Sequence, residues 1–130
     1  MSQKTNQIPL DQLDALADKL PAINTVDVTI EVLDEAIGDQ LEAIRLPWHG
    51  IVYDRRSEII ELSVGGRDRR IPVVLRHLIH RPTGVWLEEE DGRTKALLVE
   101  AAASPRTIVT FHERAALGAG DHASKADISE

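Results

Sequence analysis

The amino-acid sequence predicts an α+β fold: one N-terminal helix packed on a bent antiparallel β-sheet, or partly closed small barrel, of six to eight short strands. Three stretches carry that prediction. Leu10, Leu13, Leu16, Ala17 and Leu20 recur at helical spacing, and Pro21 ends the run. Val26, Val28, Ile30 and Val32 alternate with Asp27, Thr29 and Glu31, the period of a strand with one buried and one wet face. Residues 40–64 place two apolar runs on either side of a polar tip at 54–57, the pattern of a β-hairpin.

Taken in order, residues 1–7 are polar and read as a disordered N-terminus. The helix follows over 9–20, with Asp11 and Asp14 suiting the positive end of its dipole and Lys19 the negative end. Residues 25–33 form the clearest strand, and Gly38 marks the turn after it. The next strand changes phase, since Leu41 and Ala43 share one parity while Ile44 and Leu46 share the other; a bulge reconciles them and bends the strand. Pro47 cannot donate to a ladder, so it stands at an edge or a bend. Strand resumes at 50–54, turns through Arg55-Arg56-Ser57 and returns over 58–64 to the Gly65-Gly66-Arg67-Asp68 turn. Residues 69–80 alternate imperfectly, and Pro72 demotes them to an edge strand, with a helical turn over 74–79 as the alternative. Residues 85–88 and 96–101 flank a Glu90-Asp91-Gly92 hairpin turn, and 107–111 form the last strand. The domain thus spans 8–113, and 114–130, rich in Ala, Gly, Ser and Asp, reads as a disordered or weakly helical tail. Gly50-Ile51-Val52-Tyr53 is echoed by Gly84-Val85-Trp86-Leu87 before the later hairpin.

Composition narrows the chemistry. With 42% apolar and 3% aromatic residues, one core of aliphatic side chains must hold the fold. The chain has no cysteine, which excludes disulfides, thiolate metal sites and cysteine nucleophiles. It lacks an apolar run of the ~18–20 residues that span a bilayer, and its start lacks a secretion signal's apolar core, so the expected location is the cytoplasm, without a membrane partner. The net charge of −7 opposes non-specific nucleic-acid binding. Yet residues 55–82 hold seven arginines against three acids, a surplus of four, which leaves −11 on the remainder. A basic middle in an acidic chain suits self-association or an anionic partner.

Several of these segments together resemble a family of small bacterial proteins of unknown function. The residues that carry the resemblance are Ile8-Pro9, Val28-Thr29-Ile30-Glu31-Val32, Leu46-Pro47-Trp48-His49-Gly50-Ile51-Val52-Tyr53-Asp54 and His80-Arg81-Pro82-Thr83-Gly84-Val85-Trp86-Leu87-Glu88, in that order. The family pattern is a Leu-Pro-x-x-Gly-Ile-x-Tyr-Asp segment, then a His-Pro-like segment before an Ile/Val-aromatic strand and an acidic hairpin. His80-Arg81-Pro82 departs from the bare His-Pro pair. The resemblance implies the domain limits and no activity. The leading helix, bent second strand and Gly65-Gly66 turn are also similar to Sm-like folds, which would imply ring assembly and RNA binding.

The candidate site residues form two groups. Trp48, His49, Tyr53 and Asp54 are the densest polar-aromatic cluster and could line a small pocket, with His49 and Asp54 as an acid-base pair. The plainer reading makes Trp48 and Tyr53 a cover for the end of the core. Arg67, Arg69 and Arg70 offer an anion- or RNA-binding surface. His77 and His80 share a helix face but oppose each other on a strand, so no metal site is assigned. The run Glu88-Glu89-Glu90-Asp91 reads as a solvated hairpin tip without calcium-loop spacing. No serine sits in a nucleophile elbow and no glycine loop opens a phosphate site, so no catalytic residue, metal or cofactor is assigned. The functional expectation is a non-enzymatic interaction module that self-associates, as a homodimer through an edge strand near Pro72 or through Trp48 and Trp86. The alternatives are the anion- or RNA-binding arginine surface and a small enzyme using His49 and Asp54.

Overall fold

The computed structural model describes residues 2–65, 75–102 and 104–114. It overturns the α+β expectation. The described chain is almost wholly strand, arranged in one open, antiparallel eight-stranded sheet, and its helical element is a 3-10 helix, Leu10–Lys19. The strands are β1 (Gln3–Gln7), β2 (Val26–Asp34), β3 (Gly38–Asp54), β4 (Ile59–Val64), β5 (Leu75–His80), β6 (Pro82–Glu90), β7 (Arg93–Ala101) and β8 (Ser104–Glu113). Their spatial order is β1-β6-β7-β8-β2-β3-β4-β5.

The leucine run that reads as an α-helix fits the tighter form equally well. At three residues per turn, Leu10, Leu13 and Leu16 eclipse on one side. Leu13 and Leu16 are buried in the core, while Leu10 at the open end stays exposed. Pro9 starts the element, its carbonyl accepting from Gln12 N–H at 2.9 Å, and the Leu20 N–H closes it on the Ala17 carbonyl at 3.2 Å. A second correction concerns the polar opening. Gln3–Gln7 form strand β1 against β6 instead of lying disordered, although every one of these side chains is exposed. Backbone groups hold this strand, helped by the Gln3 side-chain amide donating to the Glu88 carboxylate at 2.9 Å, and none of its side chains is buried, so the sequence shows no apolar period there.

The sheet is open in its hydrogen bonding yet curls over one core. β5 is an edge strand and β6 lies next to the opposite edge, but a single residue, Arg81, joins them. Arg81 has φ 54°, donates its N–H to the Glu58 carbonyl at 2.7 Å and accepts from the Ala102 N–H at 3.1 Å. The two ends of the sheet are thereby held close. Val28 and Ile30 of β2, Ile60, Leu62 and Val64 of β4, Val85 and Leu87 of β6, and Leu97 and Val99 of β7 share one buried cluster.

β3 makes the curl. Its first half pairs with β2 and its second with β4. Three bulges interrupt it: at Glu42, at Ile44-Arg45 opposite Thr29, and at His49. Arg45 has φ 50° and Gly50 φ 114°. Each extra residue bends the strand and adds twist. The phase change legible in the sequence at residues 43–46 is the second of these bulges. Two turns repeat one device. The Asp34 carboxylate accepts from the N–H groups of Ala36 and Ile37 (2.7 and 3.3 Å), and the Asp54 carboxylate accepts from Arg56 and Ser57 (3.0 and 3.4 Å). Between β6 and β7, Asp91 and Gly92 both have positive φ (54° and 83°), the conformation a two-residue hairpin turn requires.

Candidate functional site

Among the described residues, those singled out in the sequence do not converge on one site. Trp48 is 1% exposed. Its ring meets Phe111 edge-on at 5.3 Å between centroids, and its Nε1–H donates to the Pro21 carbonyl at 3.1 Å. The Trp48 carbonyl accepts from Asn24 N–H at 2.9 Å, so this tryptophan pins the segment after the 3-10 helix onto β3. His49 is a bulge residue, and Asp54 lies five residues farther along β3, about 16 Å at ~3.3 Å per residue. That separation removes the acid-base pair, since two such groups need hydrogen-bond reach. Asp54 is committed to its turn: its hydrogen bonds with Ser57, then with Arg56, hold its carboxyl below the usual 3.8. Tyr53 packs half-buried against the core, with the Arg55 guanidinium 6.0 Å from its ring centroid. Arg55 also binds the Asp14 carboxylate, tying the β3–β4 tip to the 3-10 helix. Arg67, Arg69, Arg70 and Pro72 lie outside the described residues.

β5 settles the histidine pair. Residues 74–79 contribute strand from Leu75 onward instead of a helical turn, with His77 opposite Leu62 and His80 opposite Ile59. The two rings therefore leave opposite faces. Burial lowers the His77 pKa below its usual 6.5, with Glu42 opposing. Among the described residues no three His, Asp or Glu side chains gather as metal ligands would, and no helix is long and apolar enough to cross a membrane.

Two other features emerge from the ladder. The first is a row across the outer face of the sheet. Register places Trp86 beside Leu98, Leu98 beside Ile108, Ile108 beside Glu31, and Glu31 beside Leu41. These alternate with the buried Val85, Leu87, Leu97, Val99 and Val109, so they project away from the core. The Trp86 ring closes over Gly84, where an added Cβ would come within 2.4 Å of the indole. In the next row, Glu100 faces Arg106 at 3.8 Å, both well exposed. The sequence does carry a signal for this face. Leu97-Leu98, Ile108-Val109 and Val85-Trp86-Leu87 are apolar at both parities, which a strand with a fully wet outer face does not need.

The second is an open cleft of about 980 Å³ at the end of the sheet, beside the last turn of the 3-10 helix. Leu20, Pro21, Val26 and Phe111 form its apolar lining, and Arg45, Lys95 and His112 stand among its polar residues. The Thr29 hydroxyl organises this wall: it accepts from Arg45 N–H at 3.3 Å and lies 2.9 Å from His112 Nε2. Burial first, then the charge of Arg45, lowers the His112 pKa below 6.5; Asp27 opposes, and Lys95 adds to the lowering. The cleft draws on residues 18–21, 26, 45, 90, 91, 93–95 and 111–113, and no local motif announces it.

The model of a family of unknown function (DUF5335) matches residues 4–119. An uncharacterized protein of Aquifex aeolicus (strain VF5) is 35% identical over 99 residues, covering 73% of this chain and 80% of that protein. No solved structure matches. The expected membership in a family of unknown function with bacterial relatives thus holds, and the chain belongs to the DUF5335 family of unknown function.

Proposed function

We propose that the domain is a non-enzymatic interaction module that pairs with a second copy of itself across the outer face of the sheet. One observation carries this reading: Trp86, Leu98 and Ile108 stand side by side in a single ladder row on the face opposite the core, each of them only partly buried. Aromatic and aliphatic side chains grouped in this way are the usual energetic centre of a protein interface.

The charges favour a second copy as the occupant. Consider a twofold axis lying along the strands between β7 and β8, the arrangement of an isologous dimer. Leu98 of each protomer then meets Ile108 of its partner, and Glu100 meets the partner's Arg106, making two reciprocal ion pairs. Each Trp86 stands over the partner's Glu31, whose carboxylate can accept the indole N–H. Trp48, fully buried, takes no part.

Sedimentation velocity over a concentration series tests this. The parent chain should form a dimer, Leu98→Asp should be a folded monomer, and Arg106→Glu should weaken the dimer. Combining Arg106→Glu with Glu100→Arg should restore it. A parent chain that stays monomeric at the highest attainable concentration ends the reading.

A further inference from the structure

We propose that the cleft at the end of the sheet binds a small organic anion, its charged head against Arg45 and its apolar body on Leu20, Pro21, Val26 and Phe111. This site lies at the end of the sheet, away from the Trp86-Leu98-Ile108 row, and does not depend on pairing there.

The lining holds four acids (Asp18, Glu90, Asp91, Glu113) and four bases (Lys19, Arg45, Arg93, Lys95), and most of them are already engaged. Arg93 is paired with Glu113, and Lys95 with Glu90 at 3.1 Å. The Asp91 carboxylate accepts from Ser2 N–H at 2.9 Å. Asp27, the acid nearest His112 on the neighbouring strand, is held by Arg114 at 2.9 Å. Among the described residues no carboxylate pairs with Arg45, although β3 spends a bulge and a left-handed backbone conformation to place it there. The Thr29 hydroxyl fixes both the Arg45 backbone and the His112 ring, so the guanidinium leaves from a braced position beside an imidazole. An unpaired guanidinium is the strongest anion receptor among side chains, because its fork matches a carboxylate or phosphate with two parallel hydrogen bonds.

The apolar side of the cleft sets the ligand's other half. Phe111 is 8% exposed and its ring is backed by Trp48, so this wall is continuous with the core. A volume near 980 Å³ lies in the range of small-molecule sites, which pair an apolar lining with a few placed polar groups. A bare inorganic ion would use only half of this surface.

The test titrates the full-length chain with octanoate, phenyl phosphate, inorganic phosphate and octanol, following the His112 ring resonances by NMR. At least one of the two amphiphilic anions should saturate the shift at least about tenfold more tightly than either inorganic phosphate or octanol, a difference of about 1.4 kcal/mol. Octanoate alone assigns a carboxylate head, phenyl phosphate alone a phosphate head, and both together a general oxyanion site. Arg45→Asn, chosen because Asn tolerates the left-handed backbone, should weaken binding at least about tenfold, and Arg45→Lys should recover part of it. Equal binding of octanol, no shift with either amphiphile, or unchanged affinity in Arg45→Asn overturns the proposal.

Discussion

The β3–β4 and β6–β7 hairpins begin with the same run and put it to different uses. Gly50-Ile51-Val52-Tyr53 and Gly84-Val85-Trp86-Leu87 share one phase, with Ile51 and Val85 inward and Val52 and Trp86 outward. Beyond that they diverge. Across the outer face, Val52 is followed by Glu61 and then Leu78, so a carboxylate interrupts the apolar row. Trp86 is followed by Leu98 and Ile108 without interruption. The tryptophans divide in the same way: Trp48 serves the interior from β3, and Trp86 lies on the outside of β6. A common hairpin pattern therefore fixes which side chains face out, and the neighbouring strand decides whether that outer row is broken by a charge or runs apolar.

The largest effect should come from the tryptophans. Trp48→Ala removes a fully buried side chain, its contact with Phe111 and its hydrogen bond to Pro21, and should cost about 3–5 kcal/mol. Trp86→Ala should cost the monomer less than about 1.5 kcal/mol, because the ring is only half-buried, and should instead abolish pairing. Urea unfolding of both variants at a concentration that keeps the chain monomeric measures the difference. Equal losses would erase the distinction between an inward and an outward tryptophan.

The two glycines sharpen the comparison at a smaller scale. At Gly84, a Cβ would sit 2.4 and 2.8 Å from atoms of the Trp86 ring. Gly84→Ala should therefore cost about 1–3 kcal/mol by displacing that ring. The cost should largely vanish in a Trp86→Ala background, a coupling that a double-mutant cycle reads directly. At Gly50 the nearest side chain, Ile23, is 3.5 Å from an added Cβ, but φ is +114°. Gly50→Ala should cost about 1–3 kcal/mol through backbone strain alone. Truncating Ile23 should not relieve it. Additivity at 84, or coupling at 50, would reverse the assignments.

What could be read in advance follows from which signals are local. The β2 period, the Asp91-Gly92 turn and the Ile44-Arg45 bulge were legible because alternation, turn chemistry and parity breaks involve neighbours in sequence. The helix type was not, since Leu-x-x-Leu-x-x-Leu satisfies periods of 3.0 and 3.6 alike, and this misled the fold class. β1 was invisible because it buries nothing and is held by backbone hydrogen bonds to a strand about 80 residues away. Of the site residues, Trp48 lies in the core and Tyr53 packs against it, whereas His49 and Asp54 are held apart by the extended strand between them. Arg45 and His112 are brought together by Thr29, a hydroxyl whose two partners come from β3 and β8. Nothing in any one segment reports that meeting.

The smallest effect separates the two histidines that face opposite sides of the sheet. His77 points inward from β5 beside Leu62, and its pKa is lowered chiefly by burial. His112 sits on the outer side of β8, and its pKa is lowered by burial and then by Arg45. For both, the unfolded chain binds a proton more readily than the native one. Stability is then fully present above the ordinary value of 6.5 and declines as pH falls from there through the lower native pKa. His77→Gln should flatten the fall in unfolding free energy between pH 7 and about 5 without changing its sign, and adding His112→Gln should flatten it further. Below that window, Asp54, held below its usual pKa by the turn, adds a further acid-side loss that both histidine variants keep. Because burial leads for both rings while only His112 also faces Arg45, Arg45→Asn should reduce the His112 share and leave the His77 share untouched. A pH profile in which Arg45→Asn alters both equally would mean that the two faces are electrostatically one surface.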